Sequence, residues 1–326
     1  MSSSSTAASS STGRWDTLVP ETHRPAIAPD RLRVLVDGLD HPEGVCWDPT
    51  AVGGGCVYAG GEDGQLYRVE LSTGSASLVA RTAGGMVLGV AADGRGRVVM
   101  CAPGVSALCL WDPGRITMSA DPFLTSVAGR RLVQPNFPVF GADGTLYFSE
   151  SGRWGADDGC VLALDGDGSA RVLSREPCRF ANGLAIGGDG RLWCVESRDP
   201  VLSAFDLRDP AARRERIHRF DGCVLDGLAP TADGGMLISC YRPDRIYHRA
   251  ADGALEVLAE DPQGTLLGAP TNVAFAGRDL ELLVVANLGR WHLTALDPGM
   301  RGAPLHRPAS WGFDAIRASI SRDRAG

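Results

Sequence analysis

Lysine is absent from this chain. All 32 basic residues are arginine, which removes Schiff-base chemistry through a lysine amine and the phosphate-binding loop that ends in Gly-Lys. There is no Cys-x-x-Cys pair, so zinc-finger and thioredoxin readings have no footing, and no Gly-x-Ser-x-Gly elbow for a serine hydrolase. Aromatic residues are sparse at 6%. No run approaches the roughly 18 apolar residues that a membrane helix needs. An excess of positive charge is missing too: 32 basic against 39 acidic side chains leave a net charge of −7, which argues against nucleic-acid and anionic-membrane partners. The first residues, MSSSSTAASSSTGRW, have neither a basic segment nor an apolar one, and so do not read as a secretory signal. Residues 1 to about 15 are expected to be disordered, because Ser/Thr/Ala-rich sequence buries too little apolar area to offset ordering.

What is present suits a globular chain. Apolar residues make up 44% and charged residues 22% of the 326 positions, enough for a sizeable core. Glycine, at 42 residues against 20 prolines, fits a backbone that turns often. The nine cysteines (46, 56, 101, 109, 160, 178, 194, 223 and 240) are odd in number, and several sit inside apolar runs such as Leu192-Trp193-Cys194-Val195. They read as buried free thiols of a cytoplasmic protein rather than a disulfide framework.

The chain repeats itself. A short apolar strand follows an Asp-Gly or similar turn at ADGRGRVVMC (92–101), ADGTLYFSES (142–151), GDGRLWCVES (188–197), ADGGMLISCY (232–241) and GRDLELLVVAN (277–287). The turn aspartates, Asp93, Asp143, Asp189, Asp233 and Asp279, are spaced 50, 46, 44 and 46 residues apart, and Asp48 lies 45 before the first. A third strand follows in most units, as in GQLYRVEL, CVLALDG or VLSAFDL. Short alternating runs with turns every 8–12 residues are strand periodicity, and a four-stranded unit recurring every 40–50 residues marks a propeller blade. A sandwich or two-domain enzyme would leave five nearly equal spacings unexplained. The expectation is an all-β, six-bladed propeller over residues 31–326 with a central channel, preceded by a loose tail, 1–30.

Inner strands of a propeller converge on that channel. One residue per unit precedes its hairpin in common register: Asn136, Asn182, Asp226 and Asn272 each stand seven positions before their turn aspartate, and Glu43 five before Asp48. Asn or Asp at a single such position would be an ordinary turn cap. Repeated with similar flanks (Asn-Gly-Leu-Ala, Asp-Gly-Leu-Ala, Asn-Val-Ala-Phe), the pattern reads as a ring of oxygen donors. Such a set, without Cys or His, suits a hard cation such as Ca²⁺, Mg²⁺ or Mn²⁺. The glycine after a ligand is expected to let backbone approach the ion.

The stretches HPEGVCWDP, FANGLAIGGDGRLWCVES, LDGLAPTADG and PTNVAFAG resemble those of the SMP-30/gluconolactonase/LRE-like propellers, with paraoxonase- and diisopropylfluorophosphatase-like enzymes as more distant relatives. The resemblance covers nearly all of the chain after residue 35. It implies a divalent metal in the channel, usually calcium though zinc or others are accepted, held by Glu43, Asn136, Asn182 and Asp226. It further implies lactone opening, with Asp226 as the base or water-activating group. One segment departs from the family pattern: where its sugar-lactone hydrolases carry Arg and Asp for substrate hydroxyls, this chain has Gln134 and Phe137, which points away from polyhydroxylated rings.

Trp154, Trp291 and His292, in loops after strands, are candidate substrate contacts with Gln134, Phe137 and Asn272. Glu150 and Glu196 could line the channel mouth. The remaining histidines (His23, His41, His218, His248, His306) read as exposed or core residues, because a catalytic histidine needs a positioned partner. The leading reading is a metal-dependent lactonase or esterase acting on a small molecule, as a monomer or weak homo-oligomer. Two others stay open: a non-hydrolytic isomerisation, condensation or cyclisation in the same pocket, and a non-catalytic ligand-binding propeller.

Overall fold

The computed structural model describes residues 25–308 except 175, 177 and 210, together with 311–313 and 316. The expected disordered stretch, 1 to about 15, lies outside the described residues. The end of the expected tail does not hang loose: the amides of Ala26 and Ile27 donate to the carbonyls of Val257 and Leu258, at 3.0 and 2.8 Å.

Strand β1 (Arg33–Asp37) opens the regular structure. Blade 1 follows with β2 (Val45–Asp48), β3 (Cys56–Gly60), β4 (Gln65–Glu70) and β5 (Ser75–Arg81). Blade 2 holds β6 (Val90–Ala92), β7 (Val98–Ala102), β8 (Ala107–Trp111) and β9 (Asp121–Leu124). A small hairpin, β10 (Ser126–Val127) and β11 (Arg130–Arg131), leads to blade 3, made of β12 (Pro135–Phe140), β13 (Leu146–Glu150), β14 (Cys160–Leu164) and β15 (Ala170–Val172). Blade 4 comprises β16 (Ala181–Ile186), β17 (Leu192–Glu196), β18 (Val201–Phe205) and β19 (Arg214–Arg219). Blade 5 comprises β20 (Val224–Pro230), β21 (Met236–Arg242), β22 (Arg245–Arg249) and β23 (Leu255–Glu260). Blade 6 takes three strands from the end of the chain, β24 (Pro270–Ala276), β25 (Leu282–Asn287) and β26 (His292–Leu296), and its outer strand is β1, paired antiparallel to β26.

Each blade is therefore a four-stranded antiparallel sheet, and the innermost strands β2, β6, β12, β16, β20 and β24 stand side by side around one axis. The fold is the expected six-bladed propeller. Its apolar core is divided among the six gaps between blades. Between blades 4 and 5, for example, Trp193, Val195 and Leu202 meet Leu228, Ile238 and Tyr247. Middle strands such as β7, β13 and β17 are buried at every position, since both their faces are covered, whereas outer strands such as β5 and β19 are mostly exposed or half-buried. All nine cysteines are free, and eight are buried. No helix among the described residues is long and apolar enough to cross a membrane.

Candidate functional site

Every inner strand begins near one mouth of the channel and ends at its hairpin turn. The predicted ring lies at the start: Asn136, Asn182, Asp226 and Asn272 sit on the first turns of β12, β16, β20 and β24, and Glu43 two residues before β2. All five are buried. Blade 2 breaks the series. Its residue at this place is Leu88, buried in the core between blades 2 and 3, so the ring is five polar side chains and one aliphatic.

The two asparagines of blades 3 and 4 are held in the same way. Asn136 Nδ2 donates to Ser151 Oγ at 3.0 Å, and Asn182 Nδ2 to Ser197 Oγ at 3.0 Å. Each serine passes its own proton to the next blade's inner strand, Ser151 to the Ala181 carbonyl and Ser197 to the Leu225 carbonyl, both at 2.6 Å. With the amide nitrogen spent on serine, the carbonyl end is turned the other way. Asn272 Nδ2 donates to Glu43 Oε2 at 3.3 Å, and Thr271 Oγ1 to the Glu43 carbonyl at 2.7 Å, tying blade 6 to blade 1.

The consequence is a set of orphaned acceptors. Asn136 Oδ1, Asn182 Oδ1, Asp226 Oδ1 and Asn272 Oδ1 are all buried without a hydrogen-bond partner, a state that costs roughly 1–3 kcal/mol for each group. The two carboxylates register the same environment. Burial, reinforced by the charge of Asp226, lifts the Glu43 carboxyl well above the usual carboxylate range. Burial also pushes Asp226 up to about 8, with the Asn182 amide pulling the other way. Oxygen donors only, neutral and anionic, buried and unsatisfied: this chemistry fits a hard divalent cation.

The glycines beside the ring have a packing task. A Cβ on Gly183 would lie 2.3 Å from the Asp226 carbonyl, and one on Gly44 2.1 Å from the Leu88 carbonyl. Their missing side chains make room for the backbone of the adjacent inner strand, so neighbouring blades pack closely around the channel.

The other candidates scatter. Trp154 is 53% exposed as a residue in the blade 3 loop, edge-on to Phe180 at 4.7 Å. Trp291, 61% exposed, donates its indole N–H to His41 Nε2 at 2.9 Å. His292 is buried at the start of β26, with Nε2 3.3 Å from the Leu266 carbonyl. Gln134 is half-buried, its backbone N–H on Glu150 Oε1 at 2.7 Å. Phe137 packs with Tyr147, Cys178 and Leu184 between blades 3 and 4 and faces the opposite, turn end of the channel. Glu150 and Glu196 are fully buried; Glu150 accepts the N–H groups of Gln134, Val133 and Gly152, and Glu196 those of Arg179 and the Arg214 guanidinium. They hold the loops that deliver Asn136 and Asn182.

Sequence reasoning passed over Ser151 and Ser197, although each stands 15 residues after its asparagine in a recurring Glu-Ser pair. It also passed over His41, whose Nδ1 lies 3.0 Å from Asp40 Oδ1 and 3.2 Å from Glu62 Oε2. Asp40 is in turn held by Gln65 Nε2 at 2.7 Å. The ligand atoms of Asp40, His41 and Glu62 lie within 4.8 Å of one another, at the surface two residues before Glu43.

A family model described as the SMP-30/Gluconolactonase/LRE-like region matches residues 41–288. Among solved structures, the chain is similar to a gluconolactonase from Xanthomonas campestris, at 20% identity over 82% of this chain and 89% of that one, with a TM-score of 0.69. It is similar to a luciferin-regenerating enzyme at 15% identity, with 85% and 98% covered and a TM-score of 0.69. A third likeness is to the calcium-binding protein regucalcin from Agrobacterium tumefaciens, at 19% identity, with 85% and 96% covered and a TM-score of 0.66. No curated protein matches. At these identities the structures establish the fold alone.

Proposed function

The chain belongs to the SMP-30/gluconolactonase/LRE-like family, and from that premise we propose that it is a divalent-metal-dependent hydrolase opening a lactone or related ester. One observation carries the reading: buried side-chain oxygens on neighbouring inner strands have no protein hydrogen-bond partner. Glu43, Asn136, Asn182 and Asp226 are the residues that would hold the ion, calcium in the first instance. When bound, the ion supplies Lewis acidity that polarises a carbonyl and stabilises developing negative charge.

The chain's own groups account for the rest. Ser151 and Ser197 fix the asparagine rotamers, so the neutral donors are oriented before substrate arrives. Asp226 has no such anchor on its Oδ1 and serves as proton acceptor, taking a proton from attacking water at that atom. Asn272, bridged to Glu43, holds Glu43 in place and leaves its own carbonyl for substrate or water. The regucalcin and gluconolactonase likenesses support calcium and lactone chemistry in that order of directness. The free cysteines support action in a reducing cytoplasm, and nothing in the acidic composition favours a macromolecular partner over a small molecule.

The test is a panel of lactones and esters, sugar lactones included, run on protein stripped of metal and reloaded with Ca²⁺, Zn²⁺, Mg²⁺ or Mn²⁺. Hydrolysis that disappears on chelation and returns with one of these ions is the expected result. Metal-independent turnover, or reaction in ¹⁸O-labelled water that leaves the product unlabelled, would remove the hydrolase reading.

A further inference from the structure

Past the ring, at the turn end of the channel, the inner strands enclose a second space of about 290 Å³. That is near the lower bound of pockets that take drug-sized ligands, about 300 Å³. None of the five ring residues lines it. Its walls are the later positions of the inner strands, with Phe137, Phe140, Leu184, Leu228 and Phe275 among them, and its floor is the segment Ala303–Arg307. That segment is docked by two hydrogen bonds, from the Ala303 amide to the Pro230 carbonyl at 2.9 Å and from Arg307 Nη2 to the Trp47 carbonyl at 2.6 Å.

The polar edge of this space has one sign. Arg278, His306 and Arg307 reach it, and no carboxylate lines it. This runs against the chain's average, a net charge of −7. Arg278 is exposed and makes no hydrogen bond or ion pair among the described residues. Arg307 is half-buried and bonded to a neutral carbonyl. Asp48 lies within its electrostatic reach but makes no hydrogen bond to it: Oδ1 accepts the N–H and O–H of Thr50, and Oδ2 is buried without a hydrogen-bond partner. Burial holds the Arg307 guanidinium below its usual range, as expected of a cation whose water has been removed without a full counter-charge in return.

We propose that this cavity is a second ligand site, for an amphipathic carboxylate whose apolar tail lies between the inner strands and whose head meets Arg278 and Arg307. A neutral hydrocarbon would leave the cationic edge unused, and a small polar anion would gain nothing from the aromatic and aliphatic walls. Guanidinium favours carboxylate because the planar fork matches it in two hydrogen bonds. The proposal does not depend on the ring chemistry.

Decanoate serves as the probe, titrated calorimetrically into the full chain with a chelator present, and 1-decanol serves as the uncharged control. One-to-one binding is expected, with decanol weaker by about tenfold or more. Ala303→Phe, on a half-buried irregular segment, should fill the cavity and weaken decanoate by a similar factor. Arg278→Gln, at an exposed position where folding is not at stake, should weaken decanoate several-fold and leave decanol unchanged. Decanoate that gives no binding heat, that binds Ala303→Phe and Arg278→Gln as well as the parent, or that binds no better than decanol would overturn the proposal. So would binding seen only with metal restored, since that assigns the carboxylate to the ring.

Discussion

Blades 3 and 4 deliver their ring residues differently from blade 5. In the first two, an asparagine is pinned by a serine 15 residues on, at the same 3.0 Å, and the serine is itself pinned to the following blade. In blade 5 the residue is Asp226, and the position 15 residues on is Tyr241 rather than serine; Ser239, 13 residues on, accepts from the Gly227 backbone at 2.7 Å just as Ser149 of blade 3 accepts from Phe137. The neutral donors are locked through their amide nitrogens, and the anionic one has no serine to hold it. A site that must hold an ion and also move a proton benefits from that division, because a rotamer fixed by hydrogen bonds cannot easily change its partners.

The largest effect is expected when blade 5 is made like the others. Asp226→Asn keeps shape and a carbonyl donor but removes the basic oxygen. Turnover on the best substrate should fall by about two orders of magnitude or more with metal saturating and occupancy checked by elemental analysis. Activity within a few-fold of the parent would make Asp226 a ligand alone.

Ser151→Ala and Ser197→Ala attack the other side. Each frees one asparagine, and outer partners of this kind are worth about 10–100-fold in metal affinity. Calcium titration should show two similar losses, with kcat at saturating metal little changed. A large loss in one variant and none in the other would end the claim that the two blades are equivalent.

Metal removal probes both together. If the orphaned oxygens are satisfied by an ion, the holoprotein at 100 times Kd gains about 2.7 kcal/mol, and chelation should lower Tm by roughly 5 °C. Calorimetry at fixed ion concentration measures it.

The smallest effect is chemical. Cys178 and Cys223 enter the ring strands of blades 4 and 5, yet burial pushes Cys178 up to about 12. Hydrogen bonds from the Cys240 thiol and, against some burial, from Tyr247 bring Cys223 down to about 7. A lowered thiol pKa means more thiolate at a given pH, so iodoacetamide should modify Cys223 ahead of Cys178, its rate rising through about pH 7 rather than about 8.5. Peptide mass spectrometry decides the order.

Much of this was legible because a propeller writes its plan repeatedly. Five nearly equal spacings between turn aspartates and a common seven-residue register were enough to place Asn136, Asn182, Asp226 and Asn272 on inner strands, since each blade supplies an independent reading of one geometry. What failed to show lies where the repeat carries no information. Leu88 stands at the ring position of blade 2, and apolar residues surround it, so nothing in the local pattern separates it from core. Phe137 follows a ring residue in sequence, yet its ring packs between blades 3 and 4 with Tyr147, Cys178 and Leu184. Glu150 and Glu196 look like channel residues by position, but the unpaired amides of the preceding loops claim them. One partner of His41, on Nε2, is a tryptophan 250 positions away, a distance over which sequence periodicity says nothing.

The seam of blade 6 bears on how the molecule is made. Arg33 is opposite Ala295, so a nascent chain leaving the ribosome carries β1 unpaired until almost everything else has emerged. Closing that interval costs about 3 kcal/mol more than closing a ten-residue loop, on the (3/2)RT ln n scaling, a small penalty for so long a wait. Until it is met, the flank of blade 1 that carries Trp47 and Val57 has no blade 6 to cover it, and these are surfaces on which a chaperone or another unfinished copy can settle. Maturation of the ring is thus gated by delivery of residues 292–296, however early the first blades take shape.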